Sequence, residues 1–255
     1  MFINTTPHFG VIASALPKHS SQLVSSWAQI SLATSVEIRL DGMVDKDRNL
    51  FVHGQLPSLF SAKPMILTFR PKEQGGAGFI TPEYQWRFWN SLPDSVRLVI
   101  RDLRSPVFVD WAVDLVSYVC AKGYYKEMPF PWQKIGISNH RLEETPRDLQ
   151  QEINILLSFP ASAFVKFVCK ANIEADVERI KDIYPAYRGD PPLIAFPMGP
   201  LGTRERFECV RRGSWGTYGF VPSLQPTANG QVPFRELLED SEVREALKLR
   251  GHVLN

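Results

Sequence analysis

The sequence predicts an α/β protein built as a single (β/α)8 barrel of the TIM type, one domain over residues 1–255. Short apolar runs alternate with longer amphipathic stretches, the pattern of repeated strand–helix units. Eight such units fit into the 255 residues with no linker dividing them, which matches a closed barrel better than an open doubly wound sheet. The runs are also nearly continuous in apolar residues, as expected of a parallel sheet covered on both faces.

The first run spans 9–15 and leads into an amphipathic stretch at 20–32. The second, 35–40, alternates charged and apolar residues and is followed by a weak, interrupted helical pattern near 50–60. The third, 64–69, precedes a helix at 81–91, and the fourth is placed at 96–101 ahead of a helix at 107–122. A loop over 123–132 follows, where Pro129 and Pro131 stop helix and strand alike. The fifth run, 133–138, leads to a helix at 146–158 with Thr145 as N-cap and Pro146 as its first residue. The sixth and seventh, 163–169 and 192–197, precede helices at 173–183 and 203–212. The eighth, 217–221, is followed by a helix at 234–249 that Gly251 stops.

With 44% hydrophobic and 22% charged residues the composition is that of a folded globular chain. The net charge of +2 comes from dispersed residues, so nothing points to a nucleic-acid surface, and a small molecule is the expected partner. Cys120, Cys169 and Cys209 are odd in number and lack paired spacing, which fits a reducing cytoplasm. The N-terminus has no basic region followed by a long apolar run, and no segment has the length of a membrane span, so an unprocessed soluble protein without membrane contact is expected.

Lys166 lies within Ala163-Phe164-Val165-Lys166-Phe167-Val168-Cys169, an apolar run with no evident reason to tolerate an ammonium group. One reading is an edge-strand lysine with its head in water. The other is a desolvated amine held in its neutral, nucleophilic form, a candidate Schiff-base former. His140 ends the preceding run, as either a polar loop residue or a proton carrier. In Val36-Glu37-Ile38-Arg39-Leu40-Asp41 the three charges share one face. On an open sheet that face is solvated, whereas in a barrel it points into the lumen and its charges must pair. Arg70 ends the third run before Gly75 and Gly76, as a surface turn or as an arginine aimed at a substrate oxygen. The segment from Met198 to Arg206 opens a helix and offers an anion site at its N-terminus, or is an ordinary strand-to-helix turn.

Other signals fail. Gly76-Ala77-Gly78 lacks the third glycine of a dinucleotide fingerprint. Asp45, Asp47 and Asn49 imitate a calcium loop, but Leu50 and Leu56 stand where Gly and Glu are needed. His8, His19, His53 and His252 have no metal-ligand spacing, so neither a metal nor a nucleotide cofactor is expected.

Taken in order, Glu37-Ile38-Arg39-Leu40-Asp41, Thr68-Phe69-Arg70 with Gly75-Gly76, Ser138-Asn139-His140 with Thr145-Pro146, Val165-Lys166, Met198 with Gly202 and Arg206, and Gly230-Gln231 resemble the type I 3-dehydroquinate dehydratases. The resemblance covers nearly the whole chain. It implies a barrel, usually a dimer, that dehydrates 3-dehydroquinate in the shikimate pathway through a lysine imine without a cofactor. Lys166 would form the imine and His140 would shuttle protons. Glu37, Arg39 and Arg70 would line the pocket, and Arg206 would hold the substrate carboxylate. Met198 would pack on the substrate, while Gln231 and Thr227, the latter standing where Ser is usual, would contact it from a closing loop. Position alone would equally allow Lys170 as the nucleophile.

The chain also departs from that family's pattern. The acidic residue that orients the histidine is replaced by Gln74, with Glu73 one place earlier. The acidic fourth strand is not reproduced in register, Asp102 being the candidate substitute, and Pro200 takes the place of a lysine. Two alternatives follow: another Schiff-base enzyme of aldolase type, and a weakly active or non-catalytic barrel that binds a shikimate-pathway intermediate.

Overall fold

A computed structural model describes residues 8–59, 63–159, 162–187, 191–252 and 254. The N-terminal residues 1–7, on which the expected absence of a leader was read, lie outside the described residues. Eight parallel strands form one sheet in the order β7-β6-β5-β4-β3-β2-β1-β8: β1 (Gly10–Ala15), β2 (Ser35–Arg39), β3 (Met65–Thr68), β4 (Val107–Ala112), β5 (Ile135–Arg141), β6 (Phe164–Lys170), β7 (Leu193–Met198) and β8 (Gly216–Phe220). At the remaining seam Trp215 N–H donates to Leu193 O at 2.9 Å, so the sheet is a nearly closed (β/α)8 barrel.

The helices alternate with the strands: α1 (Ser20–Ile30), α2 (Asp45–Leu50), α3 (Leu56–Leu59), α4 (Pro82–Asn90), α5 (Asp94–Arg101), α6 (Val113–Ala121), α7 (Leu149–Leu157), α8 (Glu174–Lys181), α9 (Ile183–Ala186), α10 (Glu205–Arg212), α11 (Phe234–Glu239) and α12 (Ser241–Leu249). A π-helical turn over Phe51–Gln55 joins α2 to α3, which is why the sequence pattern there is interrupted.

The fourth unit differs from expectation. Residues 96–101 belong to α5, and the fourth strand is Val107–Ala112, within the stretch expected to be helical. Val96, Leu98 and Ile100 alternate like a strand, but Val96 and Ile100 also stand one helical turn apart, and these two are the buried ones while Leu98 is exposed. Every residue of Val107–Ala112 is buried, including Asp110, whose charge breaks the apolar run and imitates an amphipathic helix. Helix α7 begins at Leu149, later than expected, with Asp148 as its cap accepting from Gln151 N–H at 2.8 Å. Thr145 is instead buried and donates to Lys170 O at 2.9 Å. The final helix is two helices, because Asp240 is extended (φ −63°, ψ 126°) and its side chain caps α12.

The two ends of the lumen have opposite chemistry. At the N-terminal end Phe9 packs edge-on against Phe108 and Phe164 with ring centroids 5.5 and 5.1 Å away. Gly136 on β5 makes room for this floor: a Cβ there would lie 2.0 Å from the Phe164 ring. Lys134 is buried below it with its ammonium 4.3 Å from the Phe108 ring centre. The C-terminal end carries the cluster of buried charged side chains that lines the cavity, as barrel topology places it.

Candidate active site

Residues from the C-terminal halves of the strands enclose a cavity of about 320 Å³. Glu37, Arg39, Arg70, His140, Lys166, Met198, Arg206, Thr227 and Gln231, the nine candidates from sequence, all line it. Gln74, Lys170 and Tyr218 line it as well. Strand alternation explains the grouping, since Glu37 and Arg39 on β2, and Lys166, Val168 and Lys170 on β6, recur at period two.

Lys166 is only 4% exposed. Its Nζ lies 3.9 Å from Glu37 Oε1, 4.0 Å from Asp110 Oδ2 and 3.8 Å from the centre of the Tyr218 ring. Burial outweighs the attraction of Glu37 and brings the amine down to about 8. Lys170, at the strand's end, is half-buried. Burial alone would raise the Glu37 carboxyl, but Lys166, Arg39 and Arg70, with the Ser14 hydroxyl donating to Oε2, hold it at about 2. Thr68 donates to its other oxygen at 2.9 Å.

The arginines divide into two kinds. Arg39 grips Asp41 through two nitrogens, at 2.9 and 2.7 Å, and also donates to Gly75 O at 3.1 Å. Asp41 in turn accepts from the backbone N–H groups of Arg70 and Ala77, so this pair fixes the turn after β3. Gly76 permits that turn, for a Cβ there would sit 2.0 Å from Arg70 O. The Arg70 guanidinium donates to Asp110 Oδ2 at 2.5 Å, Ser138 Oγ at 3.2 Å and His140 Nδ1 at 2.7 Å. Arg206, 1% exposed, differs: its hydrogen bonds go to carbonyls, Gly230 O at 3.0 Å and Tyr218 O at 3.2 Å. Its Nη2 is buried and has no partner among the described residues, and burial lowers the guanidinium to about 10. The first turn of α10 carries Glu205, bound to Lys181 at 3.3 Å, so the cation at this corner is Arg206 rather than an open helix terminus.

Segment 227–231 covers this corner. Thr227 donates to Gln231 Oε1 through both its N–H and its hydroxyl, at 2.8 and 2.9 Å, and that hydroxyl lies 3.2 Å from Ser14 Oγ. Gly230 has φ +71° and packs on Gly199, where a Cβ would come within 2.3 Å of the Gly199 carbonyl.

The question of the missing acid has a geometric answer. Gln74 is buried and donates to Asp114 Oδ2 at 2.9 Å, while Glu73 is exposed on an outer groove. The group on His140 Nδ1 is Arg70. Burial first, then the charges of Arg70, Lys166 and Arg39, pushes the imidazole well below its usual value. Asp102 is exposed and pairs with Arg104, so it does not replace the fourth-strand acid; Asp110 occupies that place. Sequence reasoning also missed Ser14 and Tyr218, which look like ordinary strand residues, and gave Thr68 no role beyond its place in the Thr68-Phe69-Arg70 motif. A lone Asp in an otherwise apolar hexapeptide was the signal for Asp110. No cluster of three or more His, Cys, Asp or Glu suited to a metal forms, and no helix is long and apolar enough to cross a membrane, among the described residues.

Residues 16–248 match the family described as type I 3-dehydroquinase. The chain is 28% identical over 209 residues to the chloroplastic bifunctional 3-dehydroquinate dehydratase/shikimate dehydrogenase of Arabidopsis thaliana, covering 81% of this chain and 32% of that protein. It is 28% identical over 111 residues to 3-dehydroquinate dehydratase of Dehalococcoides mccartyi, covering 42% and 48%. The chain thus spans about a third to a half of these relatives in matched length. The crystal structure of 3-dehydroquinate dehydratase from Geobacillus kaustophilus has the same fold, with TM-score 0.69 and 19% identity over 96% of this chain and 91% of that one. A Clostridium difficile type I 3-dehydroquinate dehydratase with covalently modified comenic acid gives 0.69 and 18%, over 98% and 95%.

Proposed function

Since the chain belongs to the type I 3-dehydroquinase family, we propose that it dehydrates 3-dehydroquinate to 3-dehydroshikimate through an imine on Lys166. The observation that carries this reading is a buried amine at about 8 sharing one cavity with His140 and an arginine that has an unpartnered nitrogen. At pH 7 such an amine is neutral roughly three hundred times more often than an ordinary lysine.

In this reading Lys166 Nζ adds to the substrate ketone, and loss of water from the carbinolamine gives an iminium. The iminium is an electron sink that acidifies the neighbouring C–H. His140 takes that proton and returns it to the β-hydroxyl as water leaves. A second water hydrolyses the conjugated iminium and releases product and amine. Arg206 holds the substrate carboxylate, which relieves the cost of its unpartnered nitrogen. Arg39 and Met198 shape the pocket, Thr227 and Gln231 close it, and Arg70 orients His140. Glu37, ionised throughout, steadies the iminium. Burial favours Lys166 over the half-buried Lys170 as nucleophile. No cofactor enters this chemistry, and a cytoplasmic homodimer belongs to the same proposal.

Incubation with 3-dehydroquinate, followed by the absorbance of the enone, then borohydride reduction and peptide mapping, tests it. Product with an adduct on Lys166 supports the reading, and the absence of both overturns it. The contact of Arg70 with His140 Nδ1 favours one second reading, a barrel that forms the imine but eliminates water poorly. It would give adduct without product.

A further inference from the structure

Arginine has five N–H donors and no acceptor, so a nitrogen 2.7 Å from Arg70 Nη1 must offer a lone pair. His140 Nδ1 therefore carries no proton. With burial and the surrounding cations keeping the ring neutral, its single proton sits on Nε2. Arg70 is itself held from the far side by Asp110 at 2.5 Å and by its backbone N–H on Asp41 at 3.2 Å, so its aim at the ring is fixed. Gln74, which brings an amide and no carboxylate to the turn, is directed to Asp114 and does not compete for the ring.

We propose that Arg70 is a positioning residue that locks His140 in the Nε2–H tautomer, so that the resting site presents substrate with a hydrogen-bond donor instead of a base. The mechanistic meaning rests on the imine reading above. Proton abstraction then needs Arg70 to leave Nδ1: Nδ1 gains a proton from solvent, Nε2 gives one up, and the ring stays neutral. Imine formation on Lys166 needs no such change. The lock therefore falls on the elimination step.

The charged groups facing the ring are Arg70 after β3, Arg39 on β2 and Lys166 on β6, with Glu37 and Asp110 behind them. On the outer groove Lys72 and Glu73 flank it from the turn after β3, and Arg141 and Glu143 flank it along and beyond β5. Nitrogen NMR of the histidine-labelled, ligand-free protein at pH 7 reads the tautomer directly and is independent of activity. The expected result is a pyridine-type signal at Nδ1 and a proton on Nε2 of His140. A proton on Nδ1, or an imidazolium, overturns the proposal. In Arg70→Met, where Asp110 still has Lys166 at 4.0 Å, the locked state should be lost, seen as a mixture of tautomers or as protonation at pH 6. An unchanged spectrum in a variant with a wild-type thermal melt overturns it equally. Arg70→Gln, whose amide can accept from Nδ1 as well as donate to it, provides the same readout if the methionine variant fails to fold. Loss of dehydratase activity with the tautomer intact would sink the enzymatic reading and leave the lock standing.

Discussion

In the proposed reaction Lys166 and its neighbours act one group at a time. Lys166→Ala should abolish both turnover and borohydride trapping while leaving the melt unchanged, and substantial residual turnover would transfer the nucleophile role to Lys170. Because the amine is lowered to about 8, kcat/KM should rise about tenfold per pH unit below that point and level off above it. A flat profile from pH 6 to 9 would mean that the amine is not the titrating group. His140→Ala should keep the adduct and lose roughly 10²–10⁴ in kcat. The position of Gln74 carries a sharper expectation. A glutamate there would meet the Asp114 carboxylate, since the amide now donates to it at 2.9 Å. Gln74→Glu with Asp114→Asn should therefore raise kcat, by about tenfold or more within the ~10²–10⁴ that acid–base placement supplies, and Gln74→Glu alone should not. Equal rates for the single and double variants would break that argument. At this scale the sequence was informative where a charged residue stood out in a run already read as a strand, as Lys166 and Glu37 do, and not for Asp110, whose run was read as a helix. Tyr218 was illegible because Tyr is a common strand residue, and only closure of the barrel brings its ring to the lysine.

Elements were legible when their periodicity had one solution. The stretch 96–101 had two, and tertiary burial chose the helix; Val107–Ala112 hid as a strand because the buried Asp110 interrupts its apolar pattern. The same tension shows in β5, where a glycine in mid-strand is poor for the strand and necessary for the floor. Gly136→Ala should cost about 1–3 kcal/mol by overpacking against Phe164, a loss of some ~2–4 °C in Tm per kcal/mol at this chain size. A melt unchanged within error would mean that Phe164 moves aside freely.

Across the whole molecule, the two ends of the described chain meet beneath the barrel. His8 Nδ1 lies 3.0 Å from His252 Nε2, and Arg250 donates to His8 Nε2 and, at 2.6 Å, to Ser214 O. Burial, then Arg250 and His252, lowers His8 to about 3, against 6.5 for an ordinary histidine. The unfolded chain thus binds the extra proton first, so this contribution is complete above pH 6.5 and is lost as the pH falls toward 3. Urea melts should show stability, on the order of a few kcal/mol, lost on that acid limb, with a shallower loss in His8→Gln. Parallel limbs in the two proteins would remove His8 from the account. The aromatic floor of Phe9, Phe108 and Phe164 governs traffic. Among the described residues a barrel stoppered at that end is a blind vessel, so under the proposed dehydration substrate, expelled water and product would all queue at the threshold beneath 227–231. In that reading product still inside would bar the next substrate, and each round of catalysis would end by retracing its own entrance.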